Sequence, residues 1–383
     1  MRFKPRVYFT SEVFTPEQMG SNEKIDATIR TNLKTLWNTL NSIAIVNVFE
    51  GRFPTPPELS QELQKYRPNI IGCHISHPIS PELLKGLELY GIATATMGYN
   101  HISPLLFENI LITHTPGILH ETVADYTIAL IMANLRNLID LHNYVWEGKW
   151  SKEDRWDLDQ ELSSILTSKT IGIIGLGEIG TELVKKLSPW NISIMYYDLH
   201  RKTGIEHSYP NLSFQSDLSV IFKEADIVSI HVPLNKDTEK LVNHDFLKLM
   251  KPNSLLINTA RGNVLDLDAL LNLLKDKKVK INFAIDVFPQ EPISDTTLKK
   301  IKQIKREQPD QRIILMPHNA SADANTRGNM VRLFLEDIIK LIQSSSIQDL
   351  KDVHIIPEQK SNLITNDWNI KTYWNKKNVE TTS

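Results

Sequence analysis

Three short stretches in the second half of the chain end apolar runs in polar groups suited to proton and anion chemistry. They are Asn258-Thr259-Ala260-Arg261-Gly262, Asp286-Val287-Phe288-Pro289-Gln290-Glu291-Pro292 and Met316-Pro317-His318-Asn319. An arginine presents a planar fork that matches a carboxylate. A histidine, with an unperturbed pKa of about 6.5, moves protons near neutrality, and a neighbouring carboxylate favours its charged form. Arg261, Glu291 and His318 together therefore form a set suited to reducing a 2-oxo acid: the fork clamps the carboxylate, the histidine protonates the carbonyl oxygen as hydride arrives, and the glutamate tunes the histidine. In open α/β sheets ligands bind beyond the carboxyl ends of strands, where all three groups are expected.

The hydride source is written upstream. The apolar run Thr170–Ile174 opens into Gly175-Leu176-Gly177-Glu178-Ile179-Gly180, glycines at G-x-G-x-x-G spacing followed by a helical pattern. Gly175 suits a tight turn, Gly177 lets the backbone approach a pyrophosphate, and Gly180 lets the helix pack closely on its strand. The phosphates would sit on free N–H groups at the helix N-terminus around Glu178 and Ile179. A second strand pattern, Ile192 to Tyr197, ends in Asp198, a carboxylate placed to accept from ribose hydroxyls and to repel a 2′-phosphate. NAD is the expected cofactor; His200-Arg201-Lys202 keeps NADP possible through contact with a 2′-phosphate.

The elements that carry these groups follow from pattern. With 383 residues the chain exceeds what one core supports, and two domains are expected. A composition of 41% hydrophobic and 23% charged residues with a net charge of −2 gives no electrostatic reason to bind nucleic acid or a membrane surface. No apolar run approaches the ~18 residues that span a bilayer, and a cytoplasmic protein is expected. The one cysteine, Cys73, excludes an internal disulfide and reads as a small buried hydrophobe. In the first part Arg6–Thr10, Ile43–Val48, Asn69–Gly72, Ile92–Thr96 and Ile110–His114 read as strands, while Pro56-Pro57-Glu58-Leu59 and Pro81-Glu82-Leu83-Leu84 open helices. Glu121 to Val145 is one apolar helical pattern, expected at a domain or dimer interface. Later strands are Asp226–Val232, Ser254–Asn258, Ile281–Asp286 and Ile313–Pro317, with helices at Asp245–Met250, Leu267–Lys275 and Asn325–Ser344. The Lys299–Arg306 run reads as a solvated helix face. Trp146, Trp150 and Trp156, and the tail aromatics Trp368, Tyr373 and Trp374, read as packing or interface groups. His74, His77, His114 and His120 read as cleft-edge or satisfied histidines, and no metal is expected.

Gly175–Gly180, Asn258–Gly262, Asp286–Pro292 and Pro317-His318, in this order and separation, resemble the D-isomer-specific 2-hydroxyacid dehydrogenase family. The resemblance covers residues 5 to 345 and includes Met97-Gly98-Tyr99-Asn100-His101-Ile102, Thr115-Pro116-Gly117 and Val123-Ala124-Asp125. It implies two doubly wound parallel-sheet domains: a central Rossmann NAD-binding domain at 118–318 and a discontinuous flavodoxin-like substrate domain at 1–117. A return helix follows at 319–345, and then a tail at 346–383. It also implies a homodimer, Arg261 on the substrate, Glu291 paired with the acid-base His318, and backbone groups of Met97 and Gly98 on the substrate carboxylate. Asp286 would meet the nicotinamide carboxamide. His231-Val232-Pro233 would lie beneath the adenine, Thr259 and Ala260 would line the nicotinamide side, and Val123 would touch the cofactor. Within the family the loop at Met97, Ser321-Ala322 and Thr326-Arg327 are most similar to glyoxylate and hydroxypyruvate reductases, from which Asn319 and Ser103 depart. A non-enzymatic NAD-sensing corepressor and a formate or phosphite dehydrogenase are the alternatives on the same scaffold.

Overall fold

The computed structural model describes residues 4–108, 110–151, 158–344 and 347–360. The chain divides into two compact units, Met1–Leu119 with Asp323–Ser383, and His120–Ala322.

The first unit is built on five parallel strands, β1 (Arg6–Phe9), β2 (Ile45–Val48), β3 (Ile70–Cys73), β4 (Gly91–Thr94) and β5 (Leu111–Thr113), in the order β2-β1-β3-β4-β5. The inner strands β3 and β4 are buried at every residue, which is why they read as continuous apolar runs. Helix α1 (Ala27–Ile43) starts on Asp26, whose carboxylate accepts from the Thr28 N–H. It runs through Ile43, the first residue of the expected second strand, before Ala44 turns the chain. Helix α2 (Pro56–Tyr66) has prolines in its first turn and a reciprocal Thr55–Glu58 capping box, worth about 1 kcal/mol. The helix expected at Pro81–Leu84 is instead a series of turns. The Leu84 and Lys85 N–H groups reach back only three residues, at 3.2 and 3.4 Å, and Gly86 leaves at φ 77°, so the first turn never propagates. Cys73 is fully buried, and burial pushes its thiol up to about 12.

The second unit carries seven parallel strands: β6 (Thr170–Ile174), β7 (Ser193–Tyr197), β8 (Leu212–Phe214), β9 (Ile227–Ile230), β10 (Leu255–Asn258), β11 (Asn282–Ile285) and β12 (Ile313–Leu315). Their order is β12-β11-β10-β9-β6-β7-β8, so the strand order reverses between β6 and β9, the position where an open sheet forms its crevice. The apolar pattern after Glu121 is two helices, α3 (His120–Leu135) and α4 (Leu138–Trp146), broken at Asn137 in the left-handed region with φ 50°. The break has a tertiary cause: the Arg312 guanidinium donates to the Asn134 and Leu135 carbonyls at 3.1 and 3.0 Å and ends α3. Helix α3 packs on α5 (Glu178–Leu187) and on β10, β11 and β12, as an internal helix of this unit. The apolar exposure lies on α4 and the stretch after it.

Three further helices complete the connections: α6 (Thr203–Ser208), α7 (Leu218–Glu224) and α8 (His244–Leu247). Helices α9 (Leu267–Lys275) and α10 (Asp295–Glu307) follow. Helix α10 is the crossover from β11 to β12. It buries Ile301 and Ile304, leaves Lys299, Lys300 and Lys302 exposed and turns Lys305 onto Asp140 at 2.7 Å, so the charged stretch 296–312 is a connection that any parallel pair requires. The chain then returns to the first unit through α11 (Ala324–Gln343), capped by Asp323 on the Thr326 N–H, and the described residues close with α12 (Pro357–Lys360). Phe334 of α11 packs against Phe9 and Phe14 with ring centroids 5.7 and 4.7 Å away. Trp156, Trp368, Tyr373 and Trp374 lie outside the described residues.

Candidate active site

The turn after β6 is built as its glycines require. Gly175 sits at φ 95°, where a Cβ would stand 2.8 Å from the Val232 side chain and 2.9 Å from the His231 carbonyl. At Gly180 a Cβ would collide with the Gly175 carbonyl, so α5 packs close to the turn only without one. At Gly177, the cap of α5, a Cβ would meet nothing. The backbone is open there, beside the first N–H groups of α5 at Glu178 and Ile179, as an approaching pyrophosphate requires. Asp198, at the end of β7, closes the turn: its carboxylate accepts from the Leu176 N–H at 2.8 Å and the His200 N–H at 3.1 Å. Of the basic trio, Arg201 is engaged by Glu206 through bonds of 2.7 and 3.0 Å, and Glu206 also accepts from the Tyr196 hydroxyl at 2.7 Å.

Beyond β9, His231 is held by the Ser229 hydroxyl at 2.8 Å, and burial pulls its pKa down to about 4, so the ring is neutral. Its Nδ1 is buried with no hydrogen-bond partner among the described residues. Val232 follows, packed on the core beneath the sheet, and then Pro233, whose carbonyl accepts from the Thr238 hydroxyl at 2.6 Å. Val123 is buried on α3, with its carbonyl accepting from Thr127, and the Thr127 hydroxyl lies 3.2 Å from that of Thr259.

Strands β10, β11 and β12 are neighbours, so the three polar strand ends emerge side by side. After β10, the Asn258 amide accepts from the Ala260 N–H at 3.0 Å and donates to the Arg261 carbonyl at 2.9 Å, shaping the loop around the guanidinium. Burial lowers the Arg261 pKa against the opposing pull of the Glu291 charge: the cation has been taken out of water beside a carboxylate. After β12, His318 Nδ1 meets Glu291 Oε2 at 2.6 Å, and Glu291 Oε1 accepts from the Phe288 N–H at 2.9 Å. Burial works to raise the Glu291 carboxyl. The bonds from His318 and Phe288, with the His318 and Arg261 charges, outweigh it and hold the group below its ordinary value. A carboxylate only accepts, so Nδ1 carries the shared proton and Nε2 is the ring atom left for substrate.

Asp286 anchors this corner. It is fully buried, and its two oxygens accept from the Asn319 and Ala320 N–H groups at 2.7 and 2.8 Å, while its carbonyl takes the His318 N–H at 2.7 Å. The Tyr126 hydroxyl stands 3.5 Å from it. Tyr126 and Thr127 entered the sequence reading only as part of an apolar helix; a tyrosine and a threonine side by side on that helix were the available signal.

In the first unit, the loop after β4 is fixed from behind. The Met97 carbonyl accepts from His114 Nδ1 at 2.8 Å, and the Gly98 carbonyl from the Thr96 hydroxyl at 2.8 Å. His77 is similarly satisfied, by the Thr10 hydroxyl at 2.6 Å and the Arg52 carbonyl at 2.9 Å. Among the described residues His120, Glu121 and Glu182 bring ligand-type atoms within 4.8 Å of one another. Glu182 is already paired with Lys185 and Lys186 at 3.1 and 3.7 Å, cations that oppose a metal ion there.

Comparison with known proteins bears on the family and the fold. A family model described as D-isomer specific 2-hydroxyacid dehydrogenase, NAD binding domain, matches residues 128–320. The chain is 35% identical over 293 residues to a glyoxylate reductase of Thermofilum pendens, covering 75% of this chain and 83% of that one. It is 32% identical over 359 residues to a glyoxylate reductase of Aeropyrum pernix, covering 92% and 97%. Among solved structures, a D-lactate dehydrogenase from Aquifex aeolicus complexed with NAD and lactic acid superposes with a TM-score of 0.71 at 24% identity, covering 91% and 98%.

Proposed function

The chain belongs to the D-isomer-specific 2-hydroxyacid dehydrogenase family, whose members are NAD-binding oxidoreductases, and from that membership we propose that it interconverts a small 2-oxo acid and its D-2-hydroxy acid. Glyoxylate is the proposed oxo acid in line with the names of its relatives, and hydroxypyruvate is added from the resemblance of the sequence to glyoxylate and hydroxypyruvate reductases. The observation that carries the reading is the 2.6 Å His318–Glu291 pair set beside the desolvated Arg261 at three adjacent strand ends.

The bound dinucleotide supplies hydride at its nicotinamide ring and takes it back in the reverse direction. Arg261, with the backbone of Met97 and Gly98, holds the substrate carboxylate. His318 gives a proton from Nε2 to the carbonyl oxygen, and in oxidation accepts it from the hydroxyl. Glu291 keeps the ring oriented by holding Nδ1–H and carries the charge that balances the imidazolium. With the dinucleotide bound, Asp286, Thr259 and Ala260 would flank the nicotinamide, Val123 would touch the cofactor, and His231, Val232 and Pro233 would lie beneath the adenine. NAD is preferred to NADP because Asp198 closes the glycine turn where a 2′-phosphate would fall and Arg201 is committed to Glu206. The exposed Leu138, Ile139, Val145 and Trp146 on α4, followed by Leu162 and Ile165, form an apolar surface that a second copy covers in a homodimer. No helix among the described residues is long and apolar enough to cross a membrane. The buried thiol of Cys73 suits a cytoplasmic setting.

The test is NADH and NADPH consumption with glyoxylate, hydroxypyruvate, pyruvate and phenylpyruvate, alongside His318→Ala. The expected result is turnover of the two small acids with NADH and a loss of orders of magnitude in the variant while NADH still binds. Undiminished turnover in the variant removes His318 from the role assigned to it.

A further inference from the structure

In the first unit β5 is a sheet edge, and an open edge leaves a row of unpaired N–H and C=O groups. The segment Val353–Lys360 lies along it. The His114 N–H donates to the His354 carbonyl at 2.9 Å, the Ile356 N–H to the Ile112 carbonyl at 3.0 Å, and Thr113 and Ile355 form an antiparallel bridge. The buried Gln359 amide accepts from the Ile112 N–H at 2.8 Å and donates to the Phe107 and Ile110 carbonyls at 2.6 and 2.7 Å. His354 is itself tied at 3.1 Å to Asp337, fully buried on α11.

Two contacts of this segment go beyond covering an edge, because they end on the loop after β4. Glu358 Oε2 accepts from the Tyr99 hydroxyl at 2.7 Å. His114, held through its N–H by His354, donates Nδ1–H to the Met97 carbonyl at 2.8 Å, and the Tyr99 ring stands edge-on to His114 at 5.3 Å and 89°. In a trans peptide the C=O of one residue and the N–H of the next point in opposite directions. Fixing the Met97 carbonyl on His114 therefore aims the Gly98 N–H away from the protein behind it.

We infer that the segment His354–Glu358 positions the Met97–Gly98 loop for the substrate carboxylate, with Glu358, Tyr99 and His114 as positioning residues. This rests on the proposed role of that loop in holding the carboxylate. Substrate binding then depends on the segment, and dinucleotide binding does not.

The experiment compares wild type, Glu358→Ala, Glu358→Gln and Tyr99→Phe by steady-state kinetics with glyoxylate and NADH, and by calorimetric titration with oxalate in the presence of NADH. One hydrogen bond of about 1 kcal/mol corresponds to about fivefold. Glu358→Ala and Tyr99→Phe are expected to raise KM for glyoxylate and weaken oxalate binding by about that factor, with kcat and KM for NADH within about twofold of wild type. Glu358→Gln, which keeps an acceptor oxygen, restores the wild-type values. Unchanged glyoxylate KM and oxalate affinity overturn the inference, as does an equal rise in KM for NADH, or Glu358→Gln behaving like Glu358→Ala. Wild-type protein that binds oxalate without turning over glyoxylate overturns the proposed reaction, and the oxalate titrations of the variants still decide this point. Wild-type protein that binds no oxalate overturns both.

Discussion

Replacement of Arg261 by glutamine removes the fork that the proposed carboxylate recognition needs, and its cost can be worked from the site. The guanidinium is already desolvated: burial depresses its pKa, its Nη1 donates to the Ala260 carbonyl at 2.7 Å, and its loop is braced by Asn258. A bidentate carboxylate bond made there is not discounted by water competing for the arginine. Two charge-assisted bonds at about 1.5 to 3 kcal/mol each give about 3 to 6 kcal/mol, a loss of about 10²- to 10⁴-fold in kcat/KM. Lysine keeps the charge but offers a point contact in place of a fork, so Arg261→Lys loses about one such bond, roughly 10- to 200-fold. The assay is kcat/KM for glyoxylate at saturating NADH, with NADH affinity followed by nicotinamide fluorescence. A loss below about tenfold in Arg261→Gln, or an equal loss of NADH affinity, refutes the reasoning, since the residue would then be neither a carboxylate clamp nor specific to the substrate.

Two glycines of one motif should fail in opposite ways. Gly177→Ala places its methyl in open space, so thermal stability is retained while NADH affinity falls; Gly180→Ala drives its methyl into the Gly175 carbonyl and lowers the melting temperature by several degrees. Calorimetric melting and NADH titration separate them, and identical behaviour of the two variants refutes the division of labour. Asp337 supplies a pH test: burial, against the opposing pull of His354, raises its carboxyl from 3.8 to about 6. A raised folded-state pKa stabilises most below the unfolded value and loses that stabilisation as pH rises through about 6, amounting to about 3 kcal/mol by neutrality. Urea midpoints at pH 4 and pH 7 should therefore differ less in Asp337→Asn than in wild type, and equal differences refute the assignment.

What was legible in the sequence was local or periodic. The glycine turn, Asp198 and the three polar strand ends are short motifs whose geometry follows from a strand feeding a helix or a loop, and the alternation of apolar runs with helical stretches specified two parallel sheets. What was not legible depends on distant partners. The Glu121–Val145 pattern breaks because Arg312, far along the chain, takes the carbonyls that end α3. The turns at Pro81–Leu84 open on a proline as α2 does, and the Ser80 hydroxyl accepts from the Leu83 N–H at 3.4 Å, but Leu83 stands where α2 has Glu58, so the reciprocal half of the capping box is missing. The stretch after residue 346 has no periodicity to read because its described part pairs with a sheet edge by backbone and by one glutamine amide.

Asn319, which departs from the reductase pattern that the sequence resembles, acquires a physical reading at the same corner. His318 is held at φ 52°, a left-handed conformation that costs an ordinary residue about 1 to 2 kcal/mol. Three bonds to Asp286 hold it there: its own N–H to the carbonyl, and the N–H groups of Asn319 and Ala320 to the carboxylate. Each of those donors is backbone, which any residue but proline supplies at position 319. The Asn319 side chain faces solvent, so the turn is indifferent to its polarity. The demand falls on Asp286. Its buried carboxylate sets the strained turn, the turn sets the ring, and Glu291 then fixes which nitrogen of the ring is left to exchange a proton with substrate.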